Sequence, residues 1–437
     1  MTTELLILIL VIGTALAFDF TNGFHDTANA MATSIATGAL KPKVAVALAG
    51  GLNLVGAFLS VEVAKTVASG IVDLEAFDLS NVADADKLLL VVFSGLIGGI
   101  LWNLITWLFG LPSSSSHALF GGLIGAAIGA LGFAGVEWDG VLSKIVIPAL
   151  AAPVIAGLVA TVGTYGVYKF TQKTRETDRD TYFRYGQIGS ASLVALAHGT
   201  SDAQKTMGVI FLALVASGHL EEASNMPFWV TASCAIAIAA GTYSGGWRVI
   251  RTLGKGLVEI SSPQGMAAET SSAAIILTSA HFGMALSTTH VSTGSILGSG
   301  LGRPGADVRW SVAGRMAIAW VTTIPIAALI AFAIWTVSHG TATATNMLGG
   351  ALAAFAILLI TVGWIIYKAK QQPVHSDNVN ADWDEHGLAP DAEHSDAATS
   401  NAGETAGRTL SGATAGVHDP AHFVDTSAGT DQPRKDV

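Results

Sequence analysis

Residues 21–31 read TNGFHDTANAM, and residues 198–207 read HGTSDAQKTM. Each stretch places ionisable side chains in apolar surroundings, although a charge at the centre of a membrane costs about 2.5 to 3.5 kcal/mol even on insertion scales. When the two stretches are aligned, Asp26 falls on Asp202, at an offset of 202 − 26 = 176. Ionisable residues at membrane depth indicate a functional site, so we predict that these side chains face a polar ligand and its co-ion.

Two further blocks of sequence recur in the same order. SSSHALFGGLIG (114–125) matches STTHVSTGSILG (287–298), and TVASGIVD (66–73) matches TLGKGLVE (252–259). Their offsets are 290 − 117 = 173 and 252 − 66 = 186, which differ from 176 only by loop-sized amounts. Three blocks in one order indicate an internal duplication, so the two halves of the chain are predicted to share one fold.

The composition is typical of a membrane protein. Hydrophobic residues make up 51% of the 437 residues and charged residues only 12%, and the mean hydropathy is +0.54. Seven apolar stretches approach or exceed the length that a helix needs to cross about 30 Å of hydrocarbon; they are residues 5–18, 44–61, 88–110, 145–168, 228–241, 309–338 and 347–367. Because of these apolar stretches we expect membrane lipid around the protein. The sequence has no basic groove, no soluble nucleotide-binding unit and no HExxH motif, so we expect no nucleic acid partner and no cofactor.

Basic residues favour the cytoplasmic side of a membrane, and their distribution predicts how the two halves are oriented. The basic clusters lie in residues 169–186, 248–255, 303–309 and 368–370. Mainly acidic segments lie in residues 73–86, 134–140 and 218–225. If the basic clusters are inside, the first half begins outside and the second begins inside. The halves are then inverted copies, as in secondary transporters whose substrate site lies near the membrane midplane.

These patterns predict an all-α, multi-pass protein of the plasma (inner) membrane, with two inverted repeats whose broken helices or hairpins line a midplane site. The predicted order is a first transmembrane repeat (1–168), a charged cytoplasmic linker (169–186), a second repeat (187–338), an extra transmembrane helix (339–370) and an acidic tail (371–437). The tail holds 12 acidic and 3 basic residues and few large apolar ones, which predicts disorder. Residues 4–38 and 187–217 could each form one helix or two segments.

A run of hydroxyl residues precedes a glycine-spaced apolar helix in each half, in LPSSSSHALFGGLIG and in MALSTTHVSTGSILG. Hydroxyls cap helix starts, and the free backbone N–H groups there bind anions. Two such starts at the midplane would surround an oxyanion with donors, while capping without a ligand is the alternative. Each preceding apolar run can form a hairpin with the following helix. Gly121 with Gly125, and Gly294 with Gly298, predict close helix packing.

Four segments closely resemble the paired signatures of the inorganic phosphate transporter (PiT) family, especially its bacterial low-affinity branch. They are NGFHDTANA (22–30), HGTSDAQKTMG (198–208), PSSSSHAL and ALSTTHV. The resemblance covers residues 1–368 and implies a transporter rather than an enzyme. It implies phosphate carried in symport with protons or sodium through an inverted-repeat core. In the bacterial branch, a neutral complex of phosphate with a divalent metal is a further implied substrate form.

Carried onto this sequence, the resemblance implies that Asp26 and Asp202 are essential acids. The implied phosphate donors are Ser114, Ser115, Ser116, Ser287, Thr288 and Thr289. The predicted phosphate site also includes the two aspartates, Asn29 and Lys205. The predicted coupling-ion site consists of the two aspartates and His25, and no resident metal is predicted. Lys205 either attracts the anion or neutralises Asp202.

Two departures from the family pattern bear on the coupling ion. Ser201 stands where the second signature usually has Asn, and His25 stands at the matching place in the first. Sodium favours oxygen ligands, so the missing amides favour protons. We therefore predict a proton-coupled phosphate symporter, with sodium-coupled phosphate or sulfate transport as the alternative. A serine hydrolase is disfavoured because the Ser and His residues are adjacent in the sequence and occur twice. A passive anion channel is a further alternative, which differs from a symporter because it would not accumulate its anion. The sequence leaves the oligomeric state open, and a homodimer is one possibility.

Overall fold

The computed structural model describes residues 3–77, 81–221 and 223–380. Within these residues the regular structure is helical, apart from two isolated β-bridges, Val72–Val136 and Val258–Val308. Six helices are long and apolar enough to cross a membrane. The predicted all-α, multi-pass architecture is therefore confirmed. The acidic tail lies outside the described residues from residue 381 onward.

The first half of the chain is built from seven helices. They are α1 (Thr3–Ala36), α2 (Pro42–Gly56), α3 (Glu62–Ser69), α4 (Val82–Leu108), α5 (Ser115–Leu131), α6 (Trp138–Val141) and α7 (Ile147–Phe170). A π-helical segment, Leu142–Val146, joins α6 to α7 into one apolar span. α2 begins with Pro42, whose missing N–H costs nothing in the first turn of a helix.

The second half follows nearly the same order of elements. Its helices are α8 (Glu176–Ala216), α9 (Phe228–Ser244), α10 (Trp247–Arg251), α11 (Ser262–His281), α12 (Thr288–Leu301) and α13 (Trp310–Ala344). A π-helical segment, Thr252–Gly256, extends α10, and α14 (Met347–Gln371) follows the second half as one further apolar helix. Each half thus contains a long helix, a shorter helix, a helical hairpin and a final long helix.

Several element boundaries differ from the sequence prediction. α1 and α8 run unbroken over 34 and 41 residues, which resolves the alternative that the sequence left open. The predicted linker 169–186 contains the end of α7, a short connection and the first turns of α8. α2 has 15 residues and ends at Gly56, before the end of the apolar stretch 44–61, whereas α9 has 17 residues and continues to Ser244, past the end of the apolar stretch 228–241.

Each final long helix packs against the hairpin of the other half. α13 lies along α5 of the α4–α5 hairpin, and α7 lies along α12 of the α11–α12 hairpin. The predicted glycine packing is confirmed, since a Cβ on Gly121 would stand 2.6 Å from the carbonyl oxygen of Ile324, and a Cβ on Gly294 would overlap that of Pro153. The exchanged helices fix the two hairpin bends relative to each other.

α1 and α8 cross each other antiparallel at the centre of the molecule. Asp26 of α1 lies beside Asp202 of α8, whereas Thr33, farther along α1, shares a partner with Ser190, earlier on α8. Residue numbers therefore rise along α1 as they fall along the adjacent part of α8. This crossing brings the two recurring polar stretches to the same depth.

Candidate functional site

Asp26 is buried on α1, and its two carboxylate oxygens have different partners. Oδ1 lies 2.6 Å from Nδ1 of His25. Oδ2 accepts a hydrogen bond from Ser115 Oγ at 2.6 Å and lies 3.5 Å from the hydroxyls of both Thr288 and Thr289. One aspartate of the first half therefore contacts residues at the starts of both α5 and α12.

Asp202 occupies the corresponding place on α8 but has a cationic partner. Its Oδ1 accepts a hydrogen bond from Lys205 Nζ at 2.5 Å. Its Oδ2 accepts one from Thr288 Oγ1 at 3.1 Å and lies 3.3 Å from Nε2 of His198. Both aspartates thus reach the hydroxyl of Thr288, which joins the two halves of the site.

The ammonium group of Lys205 has three hydrogen-bond acceptors within the protein. Besides Asp202, its ammonium group donates to Ser116 Oγ at 2.6 Å and to the carbonyl oxygen of Leu286 at 2.9 Å. Its side chain is 1% exposed, so an ammonium group there requires a counter-charge and three acceptors. The contact with Asp202 at 2.5 Å supports the neutralising role, one of the two roles that the sequence left open for this residue.

The hydroxyl runs begin α5 and α12 as predicted, and their members have different contacts. Ser114 Oγ accepts a hydrogen bond from the backbone N–H of His117 at 3.1 Å, and Ser287 Oγ accepts one from that of His290 at 3.3 Å. These two serines are N-caps. The next two residues in each run, Ser115 and Ser116, and Thr288 and Thr289, reach the aspartates, Lys205 or Asn29.

His25 and Asn29 complete the contacts of the first half with this site. Asn29 Nδ2 donates to Thr289 Oγ1 at 3.0 Å. Besides Asp26, His25 reaches Thr106 and Ser113, whose hydroxyls lie 3.4 Å from its Nε2. The ring is therefore held between α1 and the α4–α5 bend, where it orients the carboxylate of Asp26.

The electrostatic balance of the cluster is negative. With neutral histidines, the two carboxylates and one ammonium group of Asp26, Asp202 and Lys205 leave one net negative charge inside the protein. Ligand atoms of Asp26, His198 and Asp202 all lie within 4.8 Å of one another. Carboxylates at this separation repel, so a proton or a metal cation between them is favoured. This group of three is where the chain could hold a cation.

The arrangement has counterparts among known proteins. The model of the phosphate transporter family matches residues 22–331. A probable low-affinity inorganic phosphate transporter of Mycobacterium bovis is 58% identical over 386 residues, which are 88% of this chain and 89% of that protein. One of Bacillus subtilis is 42% identical over 327 residues, 75% of this chain and 95% of that protein.

The chain belongs to the phosphate transporter family. The expected resemblance is confirmed, and the protein is an integral membrane transporter rather than an enzyme. A solved structure titled "The sodium-dependent phosphate transporter" has the same fold, with a TM-score of 0.67 and 24% identity over 76% of this chain and 98% of that one. The predicted site residues of the transporter lie close together. Ser114 and Ser287 lie at the edge of this group, where they cap the N-termini of α5 and α12.

Sequence reasoning missed two neighbours of the aspartates in the transporter, Asn22 and His198. Asn22 Oδ1 accepts a hydrogen bond from Ser115 Oγ at 2.7 Å, and His198 Nδ1 lies 3.2 Å from Asn53 Oδ1. The two missed residues correspond at the offset of the aspartates, because 198 − 22 = 176. This shared offset could have indicated both residues, but Asn22 and His198 are different residue types and were therefore not recognised as a repeat.

A further buried acid of the transporter, Glu269 of α11, was also not predicted from the sequence. The hydroxyls of Thr33 and Ser34 donate to its Oε1 at 2.5 and 2.7 Å, and that of Ser190 donates to its Oε2 at 2.6 Å. Gln187 Nε2 adds a donor at 3.2 Å. Glu269 therefore ties α11 to both central helices on one side of the aspartates.

Proposed function

We propose that this transporter moves inorganic phosphate in symport with protons, and that phosphate binds where the starts of α5 and α12 meet α1 and α8. One observation carries the proposal: hydroxyls from both helix starts converge on Asp26 and Asp202. The hydroxyls are those of Ser115 and Thr288, within 3.5 Å of carboxylate oxygens. Neither helix start alone could surround a tetrahedral anion.

The proposed phosphate site combines three kinds of donor. Backbone N–H groups at the first turns of α5 and α12 are not used within those helices, and the helix dipoles favour an anion there. Ser115, Ser116, Thr288 and Thr289 supply hydroxyls that can turn from their present acceptors to phosphate oxygens. Asn29 adds an amide beside them, and Lys205 contributes its positive charge while its three donors stay on acceptors of the protein. These groups match an oxyanion rather than a neutral or cationic solute.

Charge balance requires a co-transported cation. The cluster already carries one net negative charge, so an arriving phosphate anion needs a positive charge to accompany it. Lys205 holds Asp202 in its ionised form, whereas Asp26 contacts only neutral groups and a histidine. A proton on Asp26 would remove the repulsion and let its carboxyl group donate a hydrogen bond to phosphate. Proton binding and phosphate binding would then favour each other.

Alternating access would follow from two inverted halves around this site. The antiparallel crossing of α1 and α8, and the exchange of α7 and α13 between the hairpins, support the proposed inversion. Rocking of one half against the other would open the site to each side in turn. The proposed boundaries of the halves are residues 1–168 and 187–338.

Sodium is the second candidate for the coupling ion. The three ligand atoms of Asp26, His198 and Asp202 within 4.8 Å support a metal cation at this position. The solved relative of this fold is titled sodium-dependent. A divalent metal that travels with phosphate would use the same carboxylates. Protons remain our proposal because both positions that precede the aspartates lack an amide oxygen.

Uptake of radiolabelled phosphate into proteoliposomes tests the proposal. A proton gradient and a sodium gradient are imposed in turn, each with excess sulfate outside as the competitor. We expect accumulation driven by the proton gradient and unaffected by sulfate. Accumulation driven only by sodium would show that sodium, and not the proton, is the coupling ion. Inhibition of uptake by sulfate would contradict the proposed selectivity for phosphate.

A further inference from the structure

Asp19 is a buried acid that the proposed phosphate site does not use. It lies on α1, its side chain is 0% exposed, and α1 is one of the six candidate membrane spans. Among the described residues, neither of its carboxylate oxygens has a hydrogen-bond partner. An ionised carboxylate with no partner at such a depth is costly, whereas a protonated carboxyl group carries no charge.

The surroundings of Asp19 provide polar neighbours but no dedicated cation. The polar side chains that act on it are those of Thr206 of α8 and Asn22 of α1. The charged or titratable groups that face it are Asp202 and Lys205 of α8 and Cys234 of α9. Asp202 repels a carboxylate, and a buried thiol supplies no positive charge.

The ammonium group of Lys205 does not serve as the counter-ion of Asp19. Its three protons are directed at Asp202, Ser116 and the carbonyl oxygen of Leu286, at 2.5, 2.6 and 2.9 Å. An ammonium group has three donors, so none is left for Asp19. The protein thus pairs Asp202 with a cation, whereas the described residues pair no cation with Asp19.

Asp19 lies on the same side of α1 as the proposed phosphate site. Residues 19, 22 and 26 are spaced by three and four positions, which places them on one face of a helix. Asn22 Oδ1 and Asp26 Oδ2 both lie within hydrogen-bond distance of the single hydroxyl of Ser115, at 2.7 and 2.6 Å. Asn22 therefore contacts Ser115 of the proposed phosphate site and also acts on Asp19. A charge on Asp19 and the charge of a bound phosphate would repel each other along this face of α1.

We propose that Asp19 carries a second coupling proton, on the side of the phosphate site toward which α1 begins. The inference rests on the proposed proton symport and extends it from one carboxyl group to two. In the occluded form the O–H bond of Asp19 is intact and the group is neutral. A phosphate anion raises the cost of a nearby carboxylate, so phosphate binding and protonation of Asp19 favour each other.

Asp19 takes up one proton from water on one side of the membrane and releases it to water on the other side. Water on the side where α1 begins delivers a proton to the carboxylate of Asp19 before phosphate is enclosed. When the site opens to the opposite side and phosphate leaves, the repulsion from the anion is gone. The proton then leaves the carboxyl group to water on that side. Asn22 does not take part in the transfer, since its amide side chain is neutral in both states.

The test compares two transport modes of Asp19→Asn in proteoliposomes. Asn resembles a protonated Asp in shape and charge but cannot release a proton. Phosphate exchange without any gradient should stay within about twofold of the wild type, because exchange needs no net proton movement. Accumulation under a proton gradient of about one pH unit should fall about tenfold, the contribution of one coupled proton. Asp86→Asn, at a half-buried acid near the start of α4, is the matched control.

Infrared spectra of the purified proteins give a readout independent of transport. A protonated carboxyl group has a carbonyl band distinct from that of a carboxylate, and Asp19→Asn should remove one such band that Asp86→Asn retains. Asp19→Glu, which keeps a titratable group, should restore proton-driven accumulation.

Three outcomes would overturn the inference: accumulation by Asp19→Asn equal to the wild type, loss of phosphate exchange in this variant, or no change in the carbonyl band. If the wild type itself ignored the proton gradient, the proposed symport would fail first.

Discussion

Asp26 and Asp202 occupy equivalent positions in the duplicated sequence, yet their surroundings differ in one decisive respect. Asp202 is held by an ammonium group at 2.5 Å, whereas Asp26 is held by a histidine at 2.6 Å and by the hydroxyl of Ser115. The neighbouring scaffold is nearly the same in the two halves. Duplication thus supplied the two long helices that carry the aspartates, and divergence of a few side chains gave the two carboxylates different partners.

The difference between the two aspartates explains how one site could bind both an anion and a proton. A permanently ionised acid paired with Lys205 is a fixed part of the scaffold. An acid without a fixed cation can gain and lose a proton as its surroundings change. We therefore assign the structural task to Asp202 and the coupling task to Asp26. Four predictions, from the largest expected effect to the smallest, test these two tasks and the scaffold that the two halves share.

The largest effect is expected for Lys205→Met, which leaves the carboxylate of Asp202 buried without its cation. Removal of one partner of a buried ion pair costs about 3 to 5 kcal/mol of folding stability. We expect loss of phosphate uptake and a lower midpoint of thermal unfolding in detergent. The double variant with Asp202→Asn should recover much of the stability but not the uptake.

The exposed pair Lys65 and Glu62 provides the control for the buried pair. Their charged atoms are 2.8 Å apart, but the side chains are 67% and 52% exposed. Lys65→Met should therefore change stability by no more than about 1 kcal/mol. If Lys205→Met unfolded at the same temperature as the wild type, the neutralising role of Lys205 would be wrong.

Asp26→Asn should separate coupling from folding. The amide keeps the shape of the side chain and can still accept from Ser115, so we expect stability within about 1 kcal/mol of the wild type. Proton-driven accumulation should fall by about tenfold or more, and the dependence of the uptake rate on pH should become weaker. Uptake measured across a range of external pH checks both expectations. Unchanged rate and pH dependence would remove Asp26 from the coupling mechanism.

Substitution of packing glycines should affect the two halves alike. In Gly125→Ala and Gly298→Ala the added methyl group would overlap the carbonyl oxygens of Ala328 and Gly157. We expect each to destabilise the protein by about 1 to 3 kcal/mol, measured by thermal unfolding. Gly363→Ala on α14, where a Cβ meets nothing within 4 Å, is the control and should be neutral or stabilising. A large effect in one half alone would contradict the shared scaffold.

The smallest effects are expected at the two N-caps. Ser114→Ala and Ser287→Ala each remove one hydrogen bond to a backbone N–H and should cost about 1 kcal/mol of stability. Because these oxygens already accept the capping bond, the KM for phosphate should change less than in Ser115→Ala. Initial uptake rates against phosphate concentration give this comparison. A larger KM change in Ser114→Ala would show that the cap also contacts the substrate.

The sequence predicted the parts of the site that are duplicated. Asp26 and Asp202, the hydroxyl runs and the hairpins were found because each occurs twice at a nearly constant offset. Those predictions rested on local rules for helix starts and on the cost of ionisable groups in a membrane. The structure confirms the hairpins and the convergence of the hydroxyls with the two acids.

The buried acids without a repeat were not predicted. At the offset of the aspartates, Asp19 corresponds to Ala195, since 19 + 176 = 195, and at the offset of the hydroxyl runs Glu269 corresponds to Leu96, since 269 − 173 = 96. A comparison of the two halves therefore gave no signal for either acid. Their burial and partners depend on which helices pack together, and that is a property of the three-dimensional fold.

Determination of the structure with bound phosphate would test the central claim most directly. The account predicts density for one tetrahedral anion between the starts of α5 and α12, within hydrogen-bond distance of Ser115, Ser116, Thr288 and Thr289. Lys205 should remain bound to Asp202. Phosphate bound beside Glu269 or at the basic residues of 169–186, with these four hydroxyls still on their present acceptors, would contradict the account.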